Sequence, residues 1–76
     1  MNKNRRAVIT ELFDRLDAIR EELESVMGEE QEYYDNMPEG IQGSEKGDKA
    51  QEAIDALQAA IDSVEEARGS LETAME

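Results

Sequence analysis

Cysteine, histidine and tryptophan are absent from this 76-residue chain, proline occurs once, and the aromatic residues are one phenylalanine and two tyrosines. Without cysteine there is no disulfide framework and no thiolate metal site to reinforce a small core. Without histidine, the usual general base and the commonest zinc or iron ligand are missing. The length allows one domain, at the lower end of what a single hydrophobic core can stabilise. The opening residues "MNKNRRAVITELFDRL" contain no continuous apolar run, so neither a signal peptide nor a membrane span is expected, and the expectation is a soluble, intracellular protein.

Positive charge is also scarce: 8 lysines and arginines stand against 20 aspartates and glutamates, for a net charge of -12. General nucleic-acid binding needs a basic face for phosphates, and nothing in this composition builds one. Acidity of this degree keeps a small helical protein soluble; it also suits a surface that imitates a nucleic acid in a basic cleft.

What the chain does contain is heptad-patterned helix. In the first segment Ile9, Leu12, Leu16, Ile19, Leu23 and Val26 recur at alternating spacings of three and four, an a/d seam that Glu30 interrupts and that Tyr33 resumes. Phe13 and Met27, each one position later, widen the stripe. The second segment follows the same rule with Ile54, Leu57, Ile61, Val64, Leu71 and Met75, with Arg68 in an a slot. Beside it Ala53, Ala60, Ala67 and Ala74 recur every seven residues, small side chains that let another helix approach closely.

These patterns predict helices over about residues 4–33 and 46–74, joined by a turn over about 34–45. In that turn Asn36 is placed to cap a single helical turn, with Pro38 early in it and Glu39 at the capping-box position; Gly40 and Gly43 end it, and Ile41 folds back onto the core. The second helix starts at Ser44 or, more firmly, at Asp48. The short connection makes the fold class all-α, an antiparallel helical hairpin. A lone pair of helices leaves the alanine and Phe13/Met27 flanks wet, so assembly into a symmetric helical bundle is expected, most simply a dimer. In a closed core Arg68 needs a carboxylate from a neighbouring helix or a ligand in a pocket.

Several chemistries are excluded. Di-metal sites in helical bundles use glutamates with Glu-x-x-His pairs, and there is no histidine. The stretch "DNMPEGIQGSEK" opens like a calcium loop, with Asp35 first and Gly40 sixth, but Met37 stands third and Lys46 twelfth, where oxygen ligands are required. There is no glycine-rich phosphate loop after a strand and no nucleophile–base pair, so no enzyme activity, metal or cofactor is expected.

The remaining polar constellation centres on the turn. Lys46 and Lys49 open the second helix near Tyr33, Tyr34 and Asn36, while Lys3, Arg5 and Arg6 cluster at the other end of the hairpin. Antiparallel packing of two chains would bring Arg5 and Arg6 of one to the turn of the other. Tyrosine rings stack on bases, cationic side chains bind phosphate, and Asn36 reads hydrogen-bonding edges. Each residue also has a plain structural role: Tyr33 as a core d residue, Tyr34 as cover for the turn, and Arg5 and Arg6 as partners of Glu72 and Glu76 across the hairpin.

The run Tyr33, Tyr34, Asp35, Asn36, Met37, Pro38, Glu39, followed by a short Gly/Ser turn and Ala/Ile/Leu heptads, resembles a group of small acidic proteins encoded in tailed-phage and prophage genomes. The resemblance covers about the last two thirds of the chain and implies a phage origin, hence the cytoplasm of an infected host cell. Small non-enzymatic phage proteins of this size often act against host defence. Three functions are therefore in view. The first is an oligomeric sponge that sequesters a cyclic nucleotide or related anionic signal, using Arg5, Arg6, Tyr33, Tyr34, Asn36, Lys46, Lys49 and Arg68. The second is an acidic DNA mimic or inhibitor of a host defence protein, and the third is a structural or assembly factor. The first is preferred by a small margin, on the tyrosine turn.

Overall fold

Asn2 starts the first helix: its side-chain oxygen accepts the Arg5 amide at 2.8 Å, satisfying one of the donors that a helix N-terminus leaves free. The computed structural model describes all residues, 1–76, as three helices and no strand: α1 (Lys3–Asp35), α2 (Glu39–Gln42) and α3 (Glu45–Met75). No helix is long and apolar enough to cross a membrane.

The turn chemistry differs from the expectation. Asn36 caps the C-terminus of α1, its amide donating to Glu32 O, and does not start the next turn. Pro38 disfavours helical backbone at Met37 and so stops α1 there. Pro38 itself takes the N-cap position of the single-turn α2, where its missing N–H costs nothing. Ser44 precedes α3 but does not cap it, because its hydroxyl donates back to Ile41 O. Glu45 and Asp48 in the first turn complement the helix dipole instead. Met37 is the turn residue that is buried, whereas Ile41 stays exposed.

α1 and α3 lie side by side, and the contacts between them run in opposite senses: Thr10 meets Met75, Asp17 meets Arg68, and Arg20 meets Glu65. The α3 seam is the expected one, with Ile54 and Ile61 buried and Leu57, Val64, Arg68, Leu71 and Met75 half-buried; it also extends one turn earlier than expected, to the buried Ala50. On α1 the seam is shifted by one residue at every second step. Ile9, Phe13, Leu16, Arg20, Leu23, Met27, Glu30 and Tyr34 are half-buried along it, with Asp17 half-buried beside Arg20. Leu12, Ile19, Val26 and Tyr33, expected in the seam, are instead 40–48% exposed.

The reason lies in α1 having three apolar heptad positions where a pair of helices has room for two. The longer Phe13 and Met27 span the gap to α3, and Arg20 finds carboxylates there. The shorter Leu12, Ile19 and Val26 turn to the flank. The wet flank is therefore the Leu12/Ile19/Val26 stripe, not Phe13 and Met27.

One close approach fixes the turn. Gly47 is buried in the first turn of α3, and a β-carbon on it would lie 2.8 Å from Gln42 Cα and nearer still to the Gln42 carbonyl. Only a residue without a side chain fits there. Gln42 in turn donates through Nε2 to Tyr34 O at 3.1 Å, tying α2 to the end of α1.

The result is a rod of 58 × 15 × 12 Å with a Cα radius of gyration of 17.3 Å. A compact chain of this length has a radius of gyration of about 11 Å. No side chain is completely buried, and the four core residues are Met37, Ala50, Ile54 and Ile61.

Candidate functional site

The turn end assembles part of the expected constellation. The Lys46 ammonium lies 5.8 Å from the centroid of the Tyr33 ring, which is 46% exposed, so one cation and one aromatic face share a surface open to water. At exposed sites such a pair contributes about 0.5–1 kcal/mol. Ser44, Glu45, Lys46 and Lys49 line a shallow depression beside it. Lys49 is held by Glu45 at 3.6 Å, a pairing that belongs to the helix surface. Tyr34 points into the α1–α3 seam and is half-buried. The two tyrosines thus exchange the structural roles expected of them: Tyr34 packs, and Tyr33, not a core d residue, is the free ring. Asn36 is exposed, and its backbone is engaged as the α1 C-cap.

Arg5 and Arg6 are about 40 Å from this turn along α1. They form no ion pair with Glu72 or Glu76 or any other carboxylate. Within one chain they and the tyrosines do not form a site.

Arg68 belongs to a different structure. Its guanidinium stacks over Phe13, 4.4 Å from the ring centroid, and pairs with Asp17 at 3.4 Å and Glu65 at 3.0 Å. Arg20, which composition and spacing did not single out, lies opposite. It reaches Asp17 at 2.8 Å, Glu24 at 2.9 Å and Glu65 at 3.1 Å. Two arginines, with Asp17 and Glu65, therefore bridge the middle of the helix pair, and Glu24 and Glu21 add to Arg20 from within α1. The hydrogen bond from Arg20 holds the Asp17 carboxyl below its ordinary value of 3.8, partial desolvation opposes this, and the charges of Arg20 and Arg68 reinforce it. The same bonds, from Asp17 first and Glu24 second, raise the Arg20 guanidinium further above its already high value. The terminal nitrogens of Arg68 are engaged by Asp17 and Glu65 and its Nε is enclosed without an acceptor, which places Arg68 in the helix seam, away from the tyrosine turn. The signal for Arg20 was its spacing of seven from Phe13 and Met27.

No group of three or more Asp or Glu side chains is arranged to hold a metal ion. The outer surface is anionic: six of the 20 acidic side chains take part in ion pairs, and the other fourteen have no cationic partner. What the chain offers is thus a long acidic rod with one apolar flank and a single tyrosine–lysine pair at the turn. No protein-family model, no curated protein and no solved structure matches the chain.

Proposed function

We propose that the protein is a non-enzymatic acidic decoy: a helical hairpin, assembled into a symmetric bundle, that occupies the basic cleft of a nucleic-acid-binding protein. The observation that carries this reading is the disposition of charge along the rod. Four of the eight cations, Arg15, Arg20, Lys49 and Arg68, are tied up by carboxylates of the same chain, which leaves the unpaired carboxylates to set the outer field. A net charge of -12 over 58 Å is one negative charge per about 5 Å. Two chains side by side reach one per about 2.4 Å, approaching the one per ~1.7 Å of duplex DNA. Glu29 and Glu32 lie on exposed positions of α1 with no cationic partner in the chain, available to lysines and arginines of a target. The resemblance to small phage proteins makes a host defence protein the natural target.

The test is capture from host lysate at about 50 mM salt, elution with excess duplex DNA, and reconstitution with the identified protein. A captured protein whose DNA affinity falls at least tenfold in the presence of the acidic chain supports the reading. Failure of DNA to release any captured protein refutes it.

A second reading, the sponge for a cyclic nucleotide or related anion, rests on the exposed Tyr33 ring with Lys46 above it. It needs Arg5 and Arg6 from another chain, and the turn's own carboxylates oppose it. Native mass spectrometry with cyclic di- and trinucleotides decides it: a fixed ligand ratio per chain, lost in Tyr33→Ala and in Arg6→Ala, supports the sponge, and no bound nucleotide removes it.

A further inference from the structure

The flank that the helix pair leaves uncovered is continuous and regular. On α1 it consists of Leu12, Ile19, Val26 and Tyr33, every seventh residue, over a length of about 32 Å at 1.5 Å per residue. On α3 the corresponding stripe is Ala53, Ala60, Ala67 and Ala74, preceded at the same spacing by Lys46. Tyr33 and Lys46, one from each stripe, meet, which puts both stripes on the same side of the rod. On the opposite side lie Asp17, Glu24, Gln58, Glu65 and Glu72. One broad side of the helix pair is thus apolar and the other polar, a division that one chain in water gives no reason to maintain.

A compact monomer of 8.5 kDa exposes about 4,650 Å², whereas this rod-shaped chain exposes 5424 Å². The elongated shape therefore has surface to spare for the ~800 Å² that each partner contributes to a stable interface of standard size.

Charge selects the occupant and its direction. The turn end, residues 29–49, carries seven acidic and two basic side chains; the other end, residues 1–10 and 70–76, carries three basic and two acidic. Two copies aligned with both turns together would stack the acidic ends on each other. Aligned head to tail, the Lys3, Arg5 and Arg6 end of each meets the acidic turn of the other.

The register follows from the stripes themselves. The midpoint of the α1 stripe falls between Glu22 and Leu23, and that of the alanine stripe between Ser63 and Val64. The cross-helix pairs Arg20–Glu65 and Asp17–Arg68 place these midpoints at the same level to within about one residue, or about 1.5 Å. A single twofold axis perpendicular to the rod therefore centres both stripes.

We infer that this apolar side binds a second copy of the same chain head to tail, α1 on α1 and α3 on α3, closing a four-helix bundle. Ile19 packs against Val26 of the partner subunit, Leu12 against the partner's Tyr33, and Ala60 against the partner's Ala67. The alanines allow the two α3 helices to approach closely, while the larger side chains fill the space between the two α1 helices. The inference specifies the bundle assumed in the decoy reading, but its tests involve no target protein or nucleic acid. Failure of DNA competition would leave it standing.

The absence of native cysteine makes the test direct. Sedimentation between about 1 and 100 µM is expected to give twice the 8.5 kDa chain mass; a chain that stays at 8.5 kDa throughout, or forms three or more copies, overturns the inference. Orientation is read from Ile19→Cys/Val26→Cys. Within one chain these positions are about 10 Å apart along α1, beyond disulfide reach, so oxidation is expected to give a covalent dimer. The two single variants, whose cysteines lie equally far apart across the axis, are expected to cross-link at least tenfold more slowly. A double variant no faster than the singles overturns the head-to-tail arrangement. So does efficient cross-linking in a mixture of Ile19→Cys and Ala67→Cys chains, which requires both turns at one end. As a fold-independent check, Ile19→Lys is expected to weaken dimerisation more than tenfold, while Asp14→Lys on the acidic exterior is not; equal effects would also overturn the inference.

Discussion

Replacing Gly47 by alanine tests the turn at the level of single atoms. In a helix interior alanine is favoured over glycine by about 1 kcal/mol, so propensity alone predicts a more stable protein. At Gly47 the added methyl group meets Gln42 Cα at 2.8 Å and the Gln42 carbonyl closer still, and these are backbone atoms that no rotamer change can move aside. Relief requires α2 to shift away from α3, which strains the Gln42–Tyr34 hydrogen bond and loosens the burial of Met37. Overpacking of this kind costs about 1–3 kcal/mol, enough to reverse the propensity gain. Gly28 and Gly69 supply the control, since both are helical and have nothing within 4 Å of the place an added methyl group would occupy. At about 4–8 °C per kcal/mol for a chain of this size, Gly47→Ala is expected to lower Tm by several degrees or more, while Gly28→Ala and Gly69→Ala raise it. The assay is thermal unfolding by circular dichroism at fixed chain concentration. If Gly47→Ala raises Tm as the two controls do, the close approach of α2 to α3 is wrong, and with it the account of why the turn has its length.

Three further outcomes follow from the charges. Raising salt from about 10 mM to 1 M shortens the screening length from ~30 Å to ~3 Å, so Tm is expected to rise as self-repulsion of the acidic surface is damped; a fall would show that the exposed ion pairs dominate. Asp17→Asn removes a carboxyl whose proton affinity is depressed in the folded state. Its contribution is present at pH values above 3.8 and is lost as pH falls through the depressed folded value, so parent and variant melting curves, separate at pH 7, converge well below pH 3.8. Arg68→Leu keeps the apolar volume over Phe13 and leaves Asp17 and Glu65 paired with Arg20, and is expected within about 1 kcal/mol of the parent. Arg68→Ala also removes the stacking over Phe13 and is expected to be the less stable of the two by about 1–2 kcal/mol. Denaturant unfolding of both variants checks the ordering.

The second helix and its seam were readable from spacing because α3 offers one choice: large aliphatic side chains at two heptad positions and alanine at a third. α1 offers two choices. Leu12, Ile19 and Val26 form the more apolar seam, and hydrophobicity alone selects it, yet the helix pair uses Phe13, Arg20 and Met27. The deciding factor is relational. Arg20 is acceptable in the seam only because Asp17 and Glu65 stand within 3.1 Å of it, and Glu65 comes from a helix forty-five residues further along. Periodicity within α1 holds no information about that partner. The same applies at the turn. Met37, Pro38 and the glycines mark its place, but Asn36 ends α1 because the amide of a residue just before Met37–Pro38 is positioned to bond Glu32 O, a matter of where the preceding helix stops. The tyrosines exchanged roles for the reason that moved the α1 seam: rotating α1 to bring Phe13 and Met27 inward carries Tyr34 inward and Tyr33 out.

That rotation also links fold to assembly. Had α1 placed Leu12, Ile19 and Val26 against α3, the outward flank would hold Phe13, Arg20 and Met27, with a cation at its centre and a phenylalanine near one end. Two copies meeting there would bury the guanidinium of Arg20 in the dimer interface, without the Glu65 that compensates it within the chain. In the arrangement adopted, each arginine of the seam is neutralised internally, at a level where solvent still reaches the carboxylates. The flank that remains is free of charge from Leu12 to Val26 and from Ala53 to Ala74. Charge is thus sorted into three zones: paired within the seam, absent from the Leu12/Ile19/Val26 and alanine stripes, and predominantly negative elsewhere. An acidic chain that worked alone would gain nothing from the uncharged side. One that worked as a pair would need it, since association of two chains each carrying -12 must overcome their mutual repulsion through apolar contact.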